Sequence, residues 1–225
     1  MADRCLLYYI TDRTQFPGDE STRRRALLAK IAEAGRAGVD YIQLREKDLN
    51  ARELEKLARE CADIIRILRT ENRELRARLL INCRTDVALA AGADGVHLRS
   101  DDISAATARS IWQEATARAS QLATRGSIIA VSCHSPSDVM RAESDGADFV
   151  VFAPVFEKRD AREMQAQGLD ALRAACAAKI PVIALGGVTL ENAASCLAAG
   201  AAGIAGIRLF QENKIEDVVR ALRAI

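Results

Sequence analysis

The chain lacks an excess of charge of either sign: 32 Lys and Arg against 31 Asp and Glu leave +1 over 225 residues, although 28% of them are charged. A protein that holds nucleic acid or a membrane surface through its overall field needs a bias of one sign. Neither partner is expected here, whereas a local basic pocket is still allowed. No apolar run approaches the roughly 20 residues of a membrane span, and the N-terminus lacks the charged, apolar and small-residue succession of an export signal. A cytoplasmic protein is the expectation. The six cysteines (Cys5, Cys61, Cys83, Cys133, Cys176 and Cys196) include no CxxC pair. Four lie in apolar or alanine-rich stretches, where a free thiol acts as a small hydrophobe. That points to reduced thiols and away from structural zinc. No glycine-rich dinucleotide fingerprint follows the first apolar run, which weighs against a doubly wound sheet.

What is present is alternation. At this length the chain can bury a substantial core as one large α/β domain or two small ones. Short apolar runs, predicted as strands, occupy residues 6–10, 39–44, 79–82, 96–98, 128–132, 149–152, 182–185 and 203–207. Helical periodicity falls between them. Ser21 is expected to cap a helix to about Arg36, and a charged-faced helix follows at 51–70 with Leu54, Leu57, Cys61, Ile64, Ile65 and Leu68 on one stripe. Further helices are predicted at 85–91, 104–119, from Pro136, at 169–177, at 189–198 capped by Thr189, and at 215–224. Ala37-Gly38-Val39-Asp40, Ala91-Gly92-Ala93-Asp94, Asp145-Gly146-Ala147-Asp148 and Ala199-Gly200-Ala201-Ala202 each stand between a helix and a strand. Glycine suits a helix C-terminus because it accepts a left-handed backbone. Eight buried-type strands alternating with helices predict a (β/α)8 TIM barrel spanning 1–225 as a single domain, its site at the strand C-terminal ends.

Several polar residues collect at those ends. Gln43, Arg45 and Lys47 alternate, so an extended backbone would turn all three to one side and offer a carboxamide and two cations to a diphosphate. A solvated edge strand is the other reading of these three. Asn82 ends the third strand and Asp101-Asp102 follow the fourth. Two aspartates with neutral oxygens nearby suit Mg²⁺, although they also suit a helix entry. Ser132 and His134 follow the fifth strand, while His97, inside the fourth, reads as a packed imidazole. Cys83 reads as a core filler, since nothing local lowers a thiol pKa. Gly186 and Gly187, after the seventh strand, occupy the usual barrel phosphate position.

The chain resembles the thiamine phosphate synthase and thiazole tautomerase superfamily nearly end to end, from Tyr9-Ile10-Thr11-Asp12 to Gly203-Ile204-Ala205. The anchors are Gln43-Leu44-Arg45-Glu46-Lys47, Asn82 with Asp86, Gly95-Val96-His97-Leu98 with Asp102, Val131-Ser132-Cys133-His134, Pro154-Val155-Phe156, and Ala184-Leu185-Gly186-Gly187-Val188 with Asn192. The resemblance implies a barrel that joins hydroxymethylpyrimidine diphosphate to thiazole phosphate with Mg²⁺ and releases diphosphate. It would set Arg45, Lys47 and Ser132 in catalytic positions, with Gln43, Asn82 and His134 on substrate. Gly186 and Gly187 would hold the thiazole phosphate, and Asp102 would serve as a metal ligand. Small phosphorylated substrates are then the expected partners, and a homo-oligomer is compatible with them.

The chain also departs from that family. Cys83 stands where the family has an aspartate ligand, which should weaken Mg²⁺ binding. Arg99-Ser100 replaces Gly-Gln, and Ile207-Arg208 replaces small residues. A Thr-x-Thr-Lys loop is missing from 157–167, where Lys158, Arg159 and Arg162 are the available cations. Pro154 occupies the tautomerase histidine position. The alternatives are a tautomerase-like isomerase, which Pro154 disfavours, and a barrel that binds a phosphorylated ligand without turning it over.

Overall fold

A computed structural model describes residues 4–118, 127–157 and 165–225. Its eight strands are β1 (Leu6–Ile10), β2 (Tyr41–Leu44), β3 (Arg78–Asn82), β4 (Gly95–Leu98), β5 (Ile128–Cys133), β6 (Phe149–Phe152), β7 (Val182–Ala184) and β8 (Gly203–Gly206). All neighbours pair in parallel, and β8 returns to β1 to close the barrel. The helices between them are α1 (Glu20–Ala37), α2 (Ala51–Glu71), α3 (Thr85–Ala91), α4 (Ala105–Arg118), α5 (Pro136–Ser144), α6 (Gly168–Ala175), α7 (Ala193–Ala198), α8 (Arg208–Gln211) and α9 (Ile215–Arg223). The predicted (β/α)8 barrel is the observed fold.

Strand alternation divides the core in two. Tyr8, Ile10, Leu80, Ala130, Phe149, Val151, Ile183 and Ala205 fill the barrel interior. The opposite parity, including Leu7, Ile42, Leu44, Leu79, Ile81 and Val150, packs outward under the helices with Leu27, Leu57 and Ile65. Burying each such Leu or Ile contributes about 2 kcal/mol. Gly95 is required inside because a Cβ there would lie 1.9 Å from the Ile128 carbonyl oxygen.

The four-fold repeat forms the floor of the barrel. Gly38, Gly92, Gly146 and Gly200 all have positive φ. The aspartate two residues after each of the first three reaches back to the preceding odd-numbered strand. Asp40 accepts the Leu7 N–H at 2.9 Å, Asp94 the Leu79 N–H at 2.8 Å and Asp148 the Ile129 N–H at 2.7 Å. Each aspartate also pairs with arginine: Asp40 with Arg4 and Arg223, Asp94 with Arg69 and Arg78, and Asp148 with Arg109. Ala202 holds the fourth position without a carboxylate. These charge pairs serve stability, because the chemistry of such barrels lies at the other rim.

Three local expectations are corrected. Asp19, not Ser21, caps α1: it accepts the Thr22 N–H at 2.8 Å, and the Ser21 hydroxyl itself donates to Asp19. Thr189 is not a helix cap, since α7 begins only at Ala193 and Asn192 takes the Thr189 N–H at 2.8 Å. The strand alternation also stops short of Lys47. β2 ends at Leu44, and Lys47 is exposed in the turn that follows.

Candidate active site

The inward-facing ends of β2 to β5 carry a connected set of polar groups. Gln43 is 2% exposed and its Nε2 donates to Asn82 Oδ1 at 3.2 Å. Asn82 lies opposite His97 in the strand register, and His97 lies opposite Ala130. The His97 ring is buried between two hydroxyls, with Nδ1 2.8 Å from Tyr8 Oη and Nε2 2.8 Å from Ser132 Oγ. Burial, and then the positive charge of Arg45, push the imidazole pKa down to about 3, with Asp102 opposing them. Both charges therefore bear on this ring, although they leave the chain after different strands.

Two loops hold the Arg45 region. Thr11 Oγ1 accepts the Arg45 N–H at 3.0 Å and donates to Glu46 at 2.6 Å. Glu46 is buried and receives the backbone N–H of Arg13 at 3.0 Å and its guanidinium at 3.1 Å. The guanidinium also forks onto Asp48 at 2.6 and 2.9 Å and reaches Glu20 at 2.7 Å. Burial raises the Glu46 pKa against the hydrogen bonds from Thr11 and Arg13, while the Asp48 bond leads in raising that of Arg13. This buried network joins the loops after β1 and β2 and sets the backbone from which Arg45 and Lys47 project. Its tightness was not legible in the sequence, where Glu46 and Arg13 look like ordinary surface charges.

After β3 the backbone turns into the left-handed region at Cys83, with φ 61°. Its N–H donates to the His97 carbonyl at 2.8 Å, and its Sγ receives Asn82 Nδ2 at 3.0 Å. Burial and the adjacent Asp102 carboxylate push the thiol up to about 11, so it is neutral at ordinary pH. Asp102 Oδ2 accepts the Arg99 N–H at 2.8 Å, and the Arg99 side chain contacts Asp101 at 3.1 Å and Asp102 at 3.5 Å. Both aspartates thus fold back onto Arg99.

The remaining candidates lie on the same rim without direct contact to this set. His134 is exposed; its Nδ1 donates to the Ala153 carbonyl at 2.7 Å and its N–H to Asp138 at 3.1 Å. Gly186 and Gly187 have φ 95° and 65°, and Cβ atoms on them would lie 2.6 Å from Pro154 Cα and 2.7 Å from the Glu157 carbonyl oxygen. Only glycine lets this loop pass so close to the segment after β6. Asn192 secures it by donating to the Gly187 carbonyl at 3.0 Å. Lys158, Arg159 and Arg162 lie outside the described residues. A cleft of about 290 Å³, lined in part by Arg99, Asp102, Ser132 and Arg141, opens beside β4 and β5. A larger recess of about 400 Å³, lined by Ile65, Arg69, Leu89, Asp94 and Trp112, belongs to the outer helical layer and not to the strand ends.

The resemblance implies Mg²⁺, and the donor set at Asp102 does not fit a site assembled for that ion. Mg²⁺ takes hard oxygen ligands. Here one carboxylate is engaged by Arg99, and its neighbour is a neutral thiol where a second carboxylate is expected. Asp86 is held bidentately by Arg84 at 2.8 and 2.6 Å. Among the described residues no group of three or more His, Cys, Asp or Glu could hold a metal ion.

Fold and rim together define a class: a closed (β/α)8 barrel whose strand ends gather amides, a hydroxyl, an arginine and a glycine pair, as in barrels that handle small phosphorylated substrates. The chain belongs to the thiamine monophosphate synthase family, whose model matches residues 7–210. It is 44% identical over 222 residues to a putative thiamine-phosphate synthase of Geobacter sulfurreducens, covering 97% of this chain and 93% of that protein. It is 41% identical over 207 residues to the thiamine-phosphate synthase of Methanospirillum hungatei, covering 90% and 88%. Among solved structures, thiamine phosphate pyrophosphorylase from Pyrococcus furiosus superposes with a TM-score of 0.74 at 31% identity, covering 99% of this chain and 95% of that one. No described helix is long and apolar enough to cross a membrane.

Proposed function

We propose that this chain is a thiamine-phosphate synthase, a transferase that joins hydroxymethylpyrimidine diphosphate to thiazole phosphate and releases diphosphate. The observation that carries the reading is the Gln43–Asn82 pair beside Arg45 and Ser132 at one barrel rim, in a chain that matches the family almost throughout. The carbon–oxygen bond between the pyrimidine methylene and the diphosphate breaks, and the leaving group keeps the electron pair. The thiazole nitrogen lone pair then forms the new carbon–nitrogen bond. No proton changes hands and no protein nucleophile is needed, which agrees with a Cys83 thiol pushed up to about 11.

Each residue has a task in that scheme. Arg45 and Lys47 supply positive charge where negative charge grows on the diphosphate. Gln43 and Asn82 orient the pyrimidine, with the Ser132 hydroxyl beside it and His134 at the edge of the mouth. Gly186 and Gly187 receive the thiazole phosphate, so that the two rings meet in attacking geometry. Asp102 keeps the family's metal position, but no step is assigned to a metal.

The test is a coupling assay with both substrates saturating and Mg²⁺ in excess, reading thiamine phosphate. Its formation is the expected result. No product under those conditions removes the proposal, and tight binding of thiamine phosphate without turnover would instead identify a ligand-binding barrel.

A further inference from the structure

We propose that Tyr8, deep inside the barrel, is a positioning residue that fixes Ser132 as a hydrogen-bond donor to the pyrimidine diphosphate, acting through His97. The naming of that ligand rests on the synthase reading, whereas the polarity of the chain does not.

Tyr8 is 0% exposed, and among the described residues its hydroxyl has one hydrogen-bond partner, His97 Nδ1, at 2.8 Å. A buried hydroxyl proton without an acceptor is costly, so that proton belongs on the Nδ1 side. His97 is 2% exposed with each ring nitrogen against a neutral hydroxyl, and among the described residues no carboxylate hydrogen-bonds the ring, so it carries a single proton, which must then sit on Nε2. Nε2–H donates to Ser132 Oγ at 2.8 Å. Ser132 accepts there and makes no other side-chain hydrogen bond among the described residues. Its own proton remains for an acceptor in the barrel mouth: a pyrimidine ring nitrogen or a diphosphate oxygen. The reverse polarity would strand the Tyr8 proton and spend the Ser132 proton on Nε2, leaving the serine only lone pairs to offer. The two arrangements exclude each other, and the tyrosine hydroxyl selects between them.

Two histidines in the whole chain make the test direct. In ¹⁵N-histidine-labelled protein without substrate, with His134→Asn used for assignment, His97 should show a protonated pyrrole-type Nε2 and a pyridine-type Nδ1 at neutral pH. A proton on Nδ1, or on both nitrogens, overturns the proposal whether or not the protein makes thiamine phosphate. In Tyr8→Phe the tautomer should no longer be fixed, so the Nδ1 resonance should move from the pyridine-type toward the pyrrole-type position. The same variant should lose roughly 3- to 10-fold in kcat with little change in KM. Unchanged kcat there, in folded protein, also overturns it. Should Tyr8→Phe fail to fold, His97→Gln and His97→Met replace it: Gln keeps a donor toward Ser132 and should stay within about 3-fold of the parent, while Met should fall by about 10-fold or more. Equal activity of those two refutes the relay. A correct tautomer with no coupling activity would instead count against the synthase reading and leave the hydrogen-bond chain standing.

Discussion

Acidification from pH 7 to 4.5 should cost the protein about 2–3 kcal/mol through His97 alone. The ring is buried between Tyr8 and Ser132, and burial, then Arg45, push its pKa down to about 3. In the unfolded chain the same imidazole titrates near 6.5. Between those values the unfolded state binds a proton that the folded state refuses, so stability falls as pH drops through the window and levels off above it. The loss relative to pH 7 is then about 1 kcal/mol at pH 5.5 and about 2–3 kcal/mol at pH 4.5. Urea unfolding at the three pH values measures it, with His97→Gln as reference. Glu46, whose carboxyl pKa is raised by burial, gains stability on acidification through its own range, and that contribution cancels between the two proteins. The stability difference between parent and variant should therefore narrow by these amounts as pH falls. Parallel curves for the two proteins would show that the imidazole is not held neutral by its burial.

Cys83→Asp restores a second carboxylate beside Asp102 and should tighten Mg²⁺ binding by about 10-fold or more, read by titration calorimetry; unchanged affinity would mean that Cys83 is not at the metal position. Asp94→Ala removes the acceptor of the Leu79 N–H and the partner of Arg69 and Arg78 in the barrel floor. It should lower stability by about 3 kcal/mol with an unchanged urea m-value, and a loss below about 1 kcal/mol would contradict the role given to the repeat. Gly187→Ala puts a Cβ 2.7 Å from the Glu157 carbonyl oxygen at a φ of 65°. It should cost about 1–2 kcal/mol of stability and raise KM for thiazole phosphate more than that for the pyrimidine substrate. Equal effects on both would detach this glycine pair from the thiazole phosphate.

Much of the architecture was legible one segment at a time. Periodicity located every strand to within about two residues, because burial on both faces of a parallel sheet demands continuous apolar runs. The glycine repeat between helix and strand was legible because a left-handed helix end is a local requirement, whereas the partners of Asp40, Asp94 and Asp148 on the preceding strands were not. Prediction failed at choices among near-equal local alternatives. Asp19 took the cap that Ser21 could have provided, and β2 ended three residues before Lys47.

The amino-acid order alone settled that eight strands would alternate with helices and that Gln43, Arg45, Asn82, Ser132, Gly186 and Gly187 would come out at strand ends. Tertiary structure decided which of them touch. Tyr8 meets His97 across 89 residues of chain, and His97 meets Ser132 across 35. Arg99 paired with both aspartates that follow it, at 3.1 and 3.5 Å. A hydrogen bond needs its partners within about 3 Å and in line. Only closure of the barrel, with its particular strand register, sets distances that fine between segments so far apart.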